Sequence, residues 1–192
     1  MRRGVSSAVT VLLVVAAACV QLGPRKDLSR FFVLSPEPVD SMAAASGGPL
    51  VAVGPVTLPD YLDRNVLVTR LGPNEVHPAA SDWWAEPLAD QVPAVLAQNL
   101  AGRLGASRAV TYPWAGNLEP DVTVRVAFAQ FEADEAGIAH LAAEWWVTAA
   151  GTERAGSTLI DEPASAATPD AKVAALSRLL GRLSDAIAAA AR

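Results

Sequence analysis

Hydrophobic and polar residues alternate along two stretches in the second half of this chain. Residues 121–128 and 138–148 each carry an apolar side chain at every second position, which is the period of a strand with one buried face. Just after the first stretch the alternation slips at Gln130 and Phe131, and such a slip predicts a β-bulge. A third strand is predicted at residues 155–160. Because short turns separate the three strands, we expect an antiparallel meander.

The rest of the sheet is predicted to consist of shorter strands. Proline and glycine delimit them, because these residues favour turns and interrupt the hydrogen bonding of a sheet. Gly54 and Pro55 indicate a bulge or the end of the second strand. The predicted short strands are residues 29–35, 50–56, 65–71 and 107–113, and residues 75–77 are a candidate for a short return strand. The turns of the meander are predicted at residues 132–137 and 151–154.

Two segments have the period of an amphipathic helix. Residues 88–104 gather apolar side chains on one face, although Pro93 predicts a distortion there. The last helix is predicted to begin at Pro169, with Thr168 as N-cap and Asp170 as a favourable first-turn charge. Its predicted core stripe consists of Val173, Leu176, Leu179, Leu180, Leu183 and Ile187. We therefore predict a single α/β domain, with two main amphipathic helices on a mixed, mostly antiparallel sheet of about seven strands.

The beginning of the chain has the pattern of an export signal that ends at a cysteine. Arg2 and Arg3 precede an apolar run at residues 5–18, which is shorter than the roughly 20 helical residues that span a bilayer. Small residues then lead to Cys19, the single cysteine of the chain. This pattern resembles the lipobox of bacterial lipoproteins, with Ala16 where leucine is usual. Acylation of Cys19 is the favoured interpretation, and a plain signal peptide is the alternative.

The predicted lipoprotein has three parts. Residues 1–18 are the signal peptide, residues 19–28 are the acylated cysteine and a short tether, and residues 29–192 form the folded domain. The lipobox resemblance implies a diacylglyceryl group and a further acyl chain, such as palmitate, on Cys19. Under the common sorting rule, Val20 in place of aspartate directs such a protein to the outer membrane. We expect a lipid-anchored domain that faces the periplasm.

Composition narrows the range of partners and cofactors. Fifteen basic residues against 20 acidic ones give a net charge of −5, and removal of residues 1–18 leaves 13 basic residues, hence −7. An acidic surface argues against a nucleic-acid partner. One cysteine and two histidines do not make a structural zinc site, a disulfide framework or an iron–sulfur site. We expect no metal, and no cofactor other than the acyl groups on Cys19.

The sequence shows no catalytic constellation. It contains neither of the common glycine-rich loops that bind nucleotide phosphates, and no G-x-S-x-G string. His77 and His140 lie far apart, without the spacing of a metal site. The acidic residues lie mostly in turns and at helix starts. We therefore predict that the protein is not an enzyme.

Two pairs of adjacent tryptophans stand out. In a strand, neighbouring side chains point to opposite faces, so Trp145 belongs in the core and Trp146 falls on the polar face. An exposed tryptophan is costly, and either a helix of this chain or a partner subunit is expected to cover Trp146. Trp83 and Trp84 precede the predicted entrance of the first helix, where a tryptophan commonly packs against the core.

Four strings of residues carry a family resemblance. They are Arg30–Leu34 (RFFVL), Val53–Arg64 (VGPVTLPDYLDR), Val68–Arg70 (VTR) and Trp84–Leu88 (WAEPL), the last followed by the predicted helix. In this order, behind a lipobox, they resemble the PqiC family, the auxiliary lipoproteins of ABC-type MCE transport systems. Trp83 is a departure, because members of the family often have a basic residue there.

The resemblance implies both a fold and a role. The fold is the small α/β domain of the TolB amino-terminal type. The role is that of an outer-membrane lipoprotein that anchors or caps a periplasm-spanning lipid tunnel made by an MCE-domain protein, with a permease and an ATPase in the same system. Family members are known to assemble into rings, so a homo-oligomeric ring is expected. A stand-alone periplasmic lipid-binding lipoprotein or an envelope scaffold is the alternative function.

The candidate site residues follow from the same strings. Tyr61, Asp63, Arg64, Trp84 and Glu86 match the family pattern, and they either support the fold or contact a partner. In the first interpretation, Arg64 pairs with Glu86 beside the entrance of the helix. Trp146 is a further candidate for a partner contact, because of its position on the polar face of its strand.

Overall fold

The computed structural model describes residues 27–38 and 47–192. The signal peptide, Cys19 and most of the predicted tether lie outside the described residues. Within the described ranges, no helix combines the length and the apolar character that crossing a membrane requires.

These residues form eight strands, two long helices and a short 3-10 helix at Asp60–Leu62. In chain order the strands before the first long helix are β1 (Arg30–Phe32), β2 (Leu50–Thr57), β3 (Val66–Gly72) and β4 (Glu75–Trp84). The remaining elements are α1 (Leu88–Leu104), β5 (Arg108–Thr111), β6 (Val122–Asp134), β7 (Ile138–Ala149), β8 (Thr152–Pro163) and α2 (Pro169–Ala191).

All eight strands belong to one mixed sheet, with β6 at its centre. On one side β6 pairs antiparallel with β7, which pairs antiparallel with β8. On its other side β6 runs parallel to β2 along its first half and parallel to β3 at its end. Beyond these strands, β5 pairs with β2, and β4 lies between β3 and β1. The α/β class with a mixed, mostly antiparallel sheet is confirmed.

The predicted meander is confirmed in order and direction. A register shift between Phe128 and Gln130 is the bulge that the slipped alternation predicts. The boundaries at both turns were predicted wrongly. β8 covers Thr152–Pro163 and so includes most of the predicted turn at residues 151–154. Glu132 does not open the hairpin turn but lies inside β6, where it is buried, because the strand continues beyond the bulge to Asp134. From the sequence alone, a glutamate that follows apolar residues indicates the end of a strand. Only the distant partners of Glu132 show that it lies inside the strand.

β1 and β4 differ in length from the prediction. β4 continues past Pro78 to Trp84, because the register shifts between Val66 and Val68 and the strand resumes pairing at Trp83. The last residues of β4, which were expected to lie in the segment before the helix, therefore pair with β1. β1 covers only Arg30–Phe32, because the backbone beyond it bonds to helix side chains and not to a strand.

Both helices begin at the predicted residues. Thr168 caps α2, and its hydroxyl accepts the backbone N–H of Ala171 at 3.4 Å. α1 is continuous through Pro93, which costs it only the bond to the carbonyl of Ala89, an exposed residue. α1 packs over β2 and β5, α2 packs over β7 and β8, and the two helices contact each other.

The core lies between the helices and one face of the sheet. Along β7 the buried residues alternate with partly exposed ones, and Trp145 is in the core, where its indole N–H donates to the Thr158 hydroxyl at 3.0 Å. Trp84 is buried in the same cluster. The predicted stripe of α2 is buried throughout: Val173, Leu176, Leu179, Leu180, Leu183 and Ile187.

Candidate functional site

The loop that carries the LPDYLDR string is joined to the sheet by a buried carboxylate. Tyr61 lies in the short 3-10 helix, and its hydroxyl donates to Glu132 Oε2 at 2.8 Å. From β3, Arg70 Nε donates to Glu132 Oε1 at 2.5 Å. The Gln130 amide and the backbone N–H of Phe131 also donate to this carboxylate, both at 3.0 Å. Glu132 therefore has four donors and only 1% exposure.

The contacts with Glu132 shift the pKa of two side chains, Tyr61 and Arg70. Burial of the phenol, together with the neighbouring Glu132 carboxylate, raises the pKa of Tyr61 to about 12. Burial acts to lower the pKa of Arg70, but the hydrogen bonds and charges of Glu132 and Tyr61 together outweigh this effect and raise the pKa. Tyr61 thus stays a neutral donor and Arg70 a cation at physiological pH, which is the state that a buried carboxylate requires.

Two strings that lie apart in sequence meet at the end of β4. The backbone N–H of Trp84 donates to the carbonyl of Asn65 at 2.8 Å. The charged residues that flank this contact, Asp63 and Arg64 on one chain segment and Glu86 on the other, are all exposed. Among the ion pairs of the described residues, none joins Arg64 to Glu86, so the predicted pairing is wrong. Because both side chains are exposed to solvent, an ion pair between them would add little to stability.

The residues that follow β1 are held by side chains of both helices. Gln91 of α1 accepts the backbone N–H of Leu34 at 2.8 Å and donates to the carbonyl of Glu86 at 2.7 Å. Ser177 of α2 accepts the N–H of Ser35 at 3.1 Å. We call residues 33–37 the strap, because this segment runs along both helices and contacts each of them.

The strap continues along the helix pair to Asn99 of α1 and Gly181 of α2. Asn99 of α1 accepts the backbone N–H of Glu37 at 2.9 Å. A Cβ added at Gly181 of α2 would lie 2.4 Å from Glu37 Cγ, so the glycine makes room for the strap. The beginning of the folded domain is therefore fixed by polar contacts and by close packing.

Trp146 lies on the sheet face that turns away from both helices. Its neighbour Trp145 faces the core, so neither helix covers Trp146. The expectation of cover by a helix of this chain is therefore wrong, and cover by a partner subunit stays a prediction. The guanidinium of Arg125 on β6 lies 5.4 Å from the Trp146 ring centroid and shields it in part. Arg125 also pairs with Glu153 of β8 at 2.7 Å. Trp146 remains partly accessible on this face.

The same face carries a histidine between two aspartates. His140 Nδ1 lies 2.7 Å from Asp161 Oδ1, and its Nε2 lies 3.5 Å from Asp134 Oδ2. In the part of the chain that the structure describes, no group of three histidine, cysteine or acidic residues is arranged to hold a metal ion. The cluster therefore acts as a set of cross-strand polar contacts between β7, β8 and the end of β6.

The surface has shallow clefts. One cleft of about 780 Å³ lies between α1, β5 and residues 113–118, and it is open to solvent. A second, of about 460 Å³, lies between the strap and α2. An interior cavity beside Trp84 and Phe131 has about 20 Å³, room for about one water molecule. The two larger spaces are open clefts, and the interior cavity is too small for a lipid acyl chain.

Arg70, Glu132 and the side chains that hold the strap were missed as site residues. Arg70 shares a strand face with Val66 and Val68, and an arginine in an apolar phase is a sign of a buried ionic partner. No comparable signal marks Gln91 or Ser177, because polar residues on a helix usually face water.

Comparison with known proteins gives a family and a fold. The model of a family described as the ABC-type transport auxiliary lipoprotein component matches residues 32–188. A crystal structure of an uncharacterized protein is 22% identical, with a TM-score of 0.71, and the match covers 85% of this chain and 99% of that one. A crystal structure from Xanthomonas campestris with the family label DUF330 is 16% identical, with a TM-score of 0.58, covering 81% and 90% of the two chains. None of the curated proteins matches the sequence.

Proposed function

The chain belongs to the family of ABC-type transport auxiliary lipoprotein components, and from this premise we propose that it is the outer-membrane lipoprotein of an MCE-type transport system. The observation that carries the proposal is the family match over residues 32–188, which includes almost the whole folded domain. In this role the protein holds the outer-membrane end of a lipid tunnel formed by an MCE-domain protein. A permease and an ATPase supply the energy, so this subunit acts without catalysis.

The anchor of the proposed subunit is Cys19. Acyl chains on this residue give stable membrane binding, because each buried methylene contributes about 0.8 kcal/mol. Eight residues separate Cys19 from Leu28, and an extended chain of that length reaches about 30 Å at most. The domain is therefore kept near the periplasmic face of the membrane, where the end of a tunnel has to be held.

The proposed contact with the tunnel protein is the charged surface at the end of β4. Asp63, Arg64 and Glu86 are exposed there and do not pair with one another, which leaves them free for groups of a partner. The Tyr61–Glu132 bond fixes the loop that presents the first two. A ring of copies would repeat this surface around the tunnel, as the PqiC resemblance implies. Trp146, on the outer face of the sheet, is the second contact that we propose.

Isolation of the acylated protein from native membranes in mild detergent tests this function. We expect an MCE-domain protein to be recovered with it, and we expect the double charge reversal Arg64→Glu with Glu86→Arg to reduce the recovery at least about tenfold, since unlike charges across an interface become like charges. The control variant Glu135→Lys changes an exposed turn and should recover as much as the wild type.

Two outcomes would contradict the proposal. Recovery of only unrelated envelope proteins would favour a scaffolding role. Recovery of the protein alone, with a stoichiometric bound lipid detected by mass spectrometry, would favour a stand-alone lipid-binding protein.

A further inference from the structure

The first residues of the folded domain expose large apolar side chains. Leu28 is 66% exposed, Phe31 is 68% exposed and Val33 is 55% exposed. The described parts of the chain have six large apolar residues that are exposed, and three of them lie between positions 28 and 33. The other three are scattered along the chain: Leu71, Tyr112 and Leu159. Such a concentration on a soluble surface indicates a contact with something apolar.

The local structure explains why these side chains stay outside. The residues that alternate with them, Phe32 and Leu34, point into the core, and Leu34 is buried. β1 pairs only with β4, so its outer edge is free. Phe31 and Val33 line the same cleft beside α2, and the strap fixes the backbone that follows. The exposed positions are therefore held outward by the fold.

The chain outside the structure places a membrane within reach of this surface. Residues 20–27 connect Leu28 to Cys19, a span of at most about 30 Å. An acyl anchor on Cys19 keeps the domain at a high local concentration next to the bilayer. In the sequence, Arg25 and Lys26 come just before the apolar residues, together with Asp27. Arg30 lies on the other side of β1, over the Phe32 ring, and pairs with Asp82 at 2.7 Å. An apolar patch with basic neighbours matches the interfacial layer of a bilayer, with its anionic phosphates above the acyl chains.

We propose that Leu28, Phe31 and Val33 insert into the interfacial layer of the leaflet that holds the acyl chains of Cys19. This inference rests on the acylation included in the proposed function. The domain is then docked against the membrane in one orientation, with the strap as a rigid connection between the inserted residues and both helices. A docked domain holds the end of a tunnel in place better than one on a free tether, because docking fixes its orientation.

The depth of a spin label tests the insertion. Cys19 is the only cysteine, so in the acylated full-length protein a cysteine introduced by Phe31→Cys is the only free thiol. The matched control is Leu159→Cys, an 81% exposed position on β8. Both labelled proteins are reconstituted in vesicles of phosphatidylethanolamine with a minor share of phosphatidylglycerol. Collisions of the label with oxygen, which dissolves in the bilayer, are compared with collisions with a water-soluble nickel chelate.

The inserted position should lie about 5–10 Å into the boundary between headgroups and acyl chains. We therefore expect a several-fold lower nickel collision rate at position 31 than at position 159, with oxygen collisions at least as frequent. A label at Leu28→Cys should give the same result. Equal nickel collision rates at positions 31 and 159 would overturn the inference. So would a joint loss of nickel and oxygen collisions at position 31, which indicates that protein covers it.

The mass of the peptide that contains Cys19 is measured on the same samples. An unmodified cysteine would contradict the anchor of the proposed function and the insertion together. An acylated cysteine with a water-exposed label at position 31 would contradict the insertion alone.

Discussion

At the scale of single residues, the most informative position is Glu132. Its carboxylate is buried and accepts from Tyr61, Arg70, Gln130 and the backbone of Phe131. The network therefore joins the loop at Asp60–Leu62 to two strands. A buried charge with complete partners contributes to specifying one arrangement, and it becomes a large cost when one partner is removed.

The substitution Glu132→Gln should reduce the free energy of unfolding by about 3 kcal/mol, because it leaves the Arg70 guanidinium without its anion in a largely buried place. Glu153→Gln is the matched control, since Glu153 also pairs with an arginine but both side chains are about half exposed. Its expected cost is no more than about 0.5 kcal/mol. Denaturant titrations measure both. Equal effects of the two substitutions would show that the Glu132 network does not hold the loop.

Tyr61 gives a prediction for pH. The folded state keeps the phenol proton up to a pKa of about 12, whereas the unfolded chain loses it near the ordinary tyrosine pKa of 10.0. The contribution to stability is therefore complete below pH 10 and is lost as the pH rises toward 12. Because Tyr61 is only half-buried, we expect a loss of about 1 kcal/mol across this window.

A spectroscopic titration separates the two tyrosines of the chain. The late ionisation should disappear in Tyr61→Phe and persist in Tyr112→Phe, followed by phenolate absorbance and by unfolding at increasing pH. Persistence of the late phase in Tyr61→Phe would mean that another group is responsible for it.

At the scale of elements, the strap is the feature that departs most from regular structure. Three of its backbone N–H groups donate to Gln91, Ser177 and Asn99, and not to a neighbouring strand. These side chains accept the backbone N–H groups that a neighbouring strand would otherwise accept. They also bond the strap to both helices. A pull on the N-terminal end of the domain is thus transmitted to α1 and α2.

The substitution Gln91→Ala should release the start of the strap. The N–H of Leu34 loses its acceptor, so its amide exchange with solvent should accelerate about tenfold or more, which corresponds to roughly 1.4 kcal/mol. The amide of Val147 in β7 reports global unfolding and should change less. Gln98→Ala, an exposed position on the same helix, serves as the control. Equal acceleration at Leu34 and Val147 would indicate general destabilisation and would refute a local tie.

The elements with a regular period could be predicted from the sequence, and those that depend on distant partners could not. The meander, its bulge and both helices follow from local alternation and capping, as the Thr168 cap shows. The strap could not be predicted, because its acceptors lie 57 to 142 positions away along the chain. For the same reason Glu132 was placed in a turn, since its partner Tyr61 is 71 positions away.

At the scale of the whole molecule, the end of β1, the WAEPL string and the loop before β3 meet at one place in the fold. The carbonyl of Phe32 accepts the N–H of Ala85, and Trp84 contacts Asn65, so the start of the domain adjoins both the WAEPL string and the loop before β3. The exposed Asp63, Arg64 and Glu86 therefore lie beside the carboxyl end of β1, one short strand away from the point where the tether enters. A subunit built this way presents its proposed docking surface close to the membrane.

Site-specific photo-crosslinking in native cells tests the central claim most directly. A photoreactive residue is placed at Arg64 or at Glu86, with Glu135 in the turn between β6 and β7 as the exposed control. Our account predicts that the first two positions form adducts with an MCE-domain protein and that the control position forms none. Adducts at positions 64 and 86 that contain only other envelope proteins, or an MCE adduct as frequent at position 135, would contradict it.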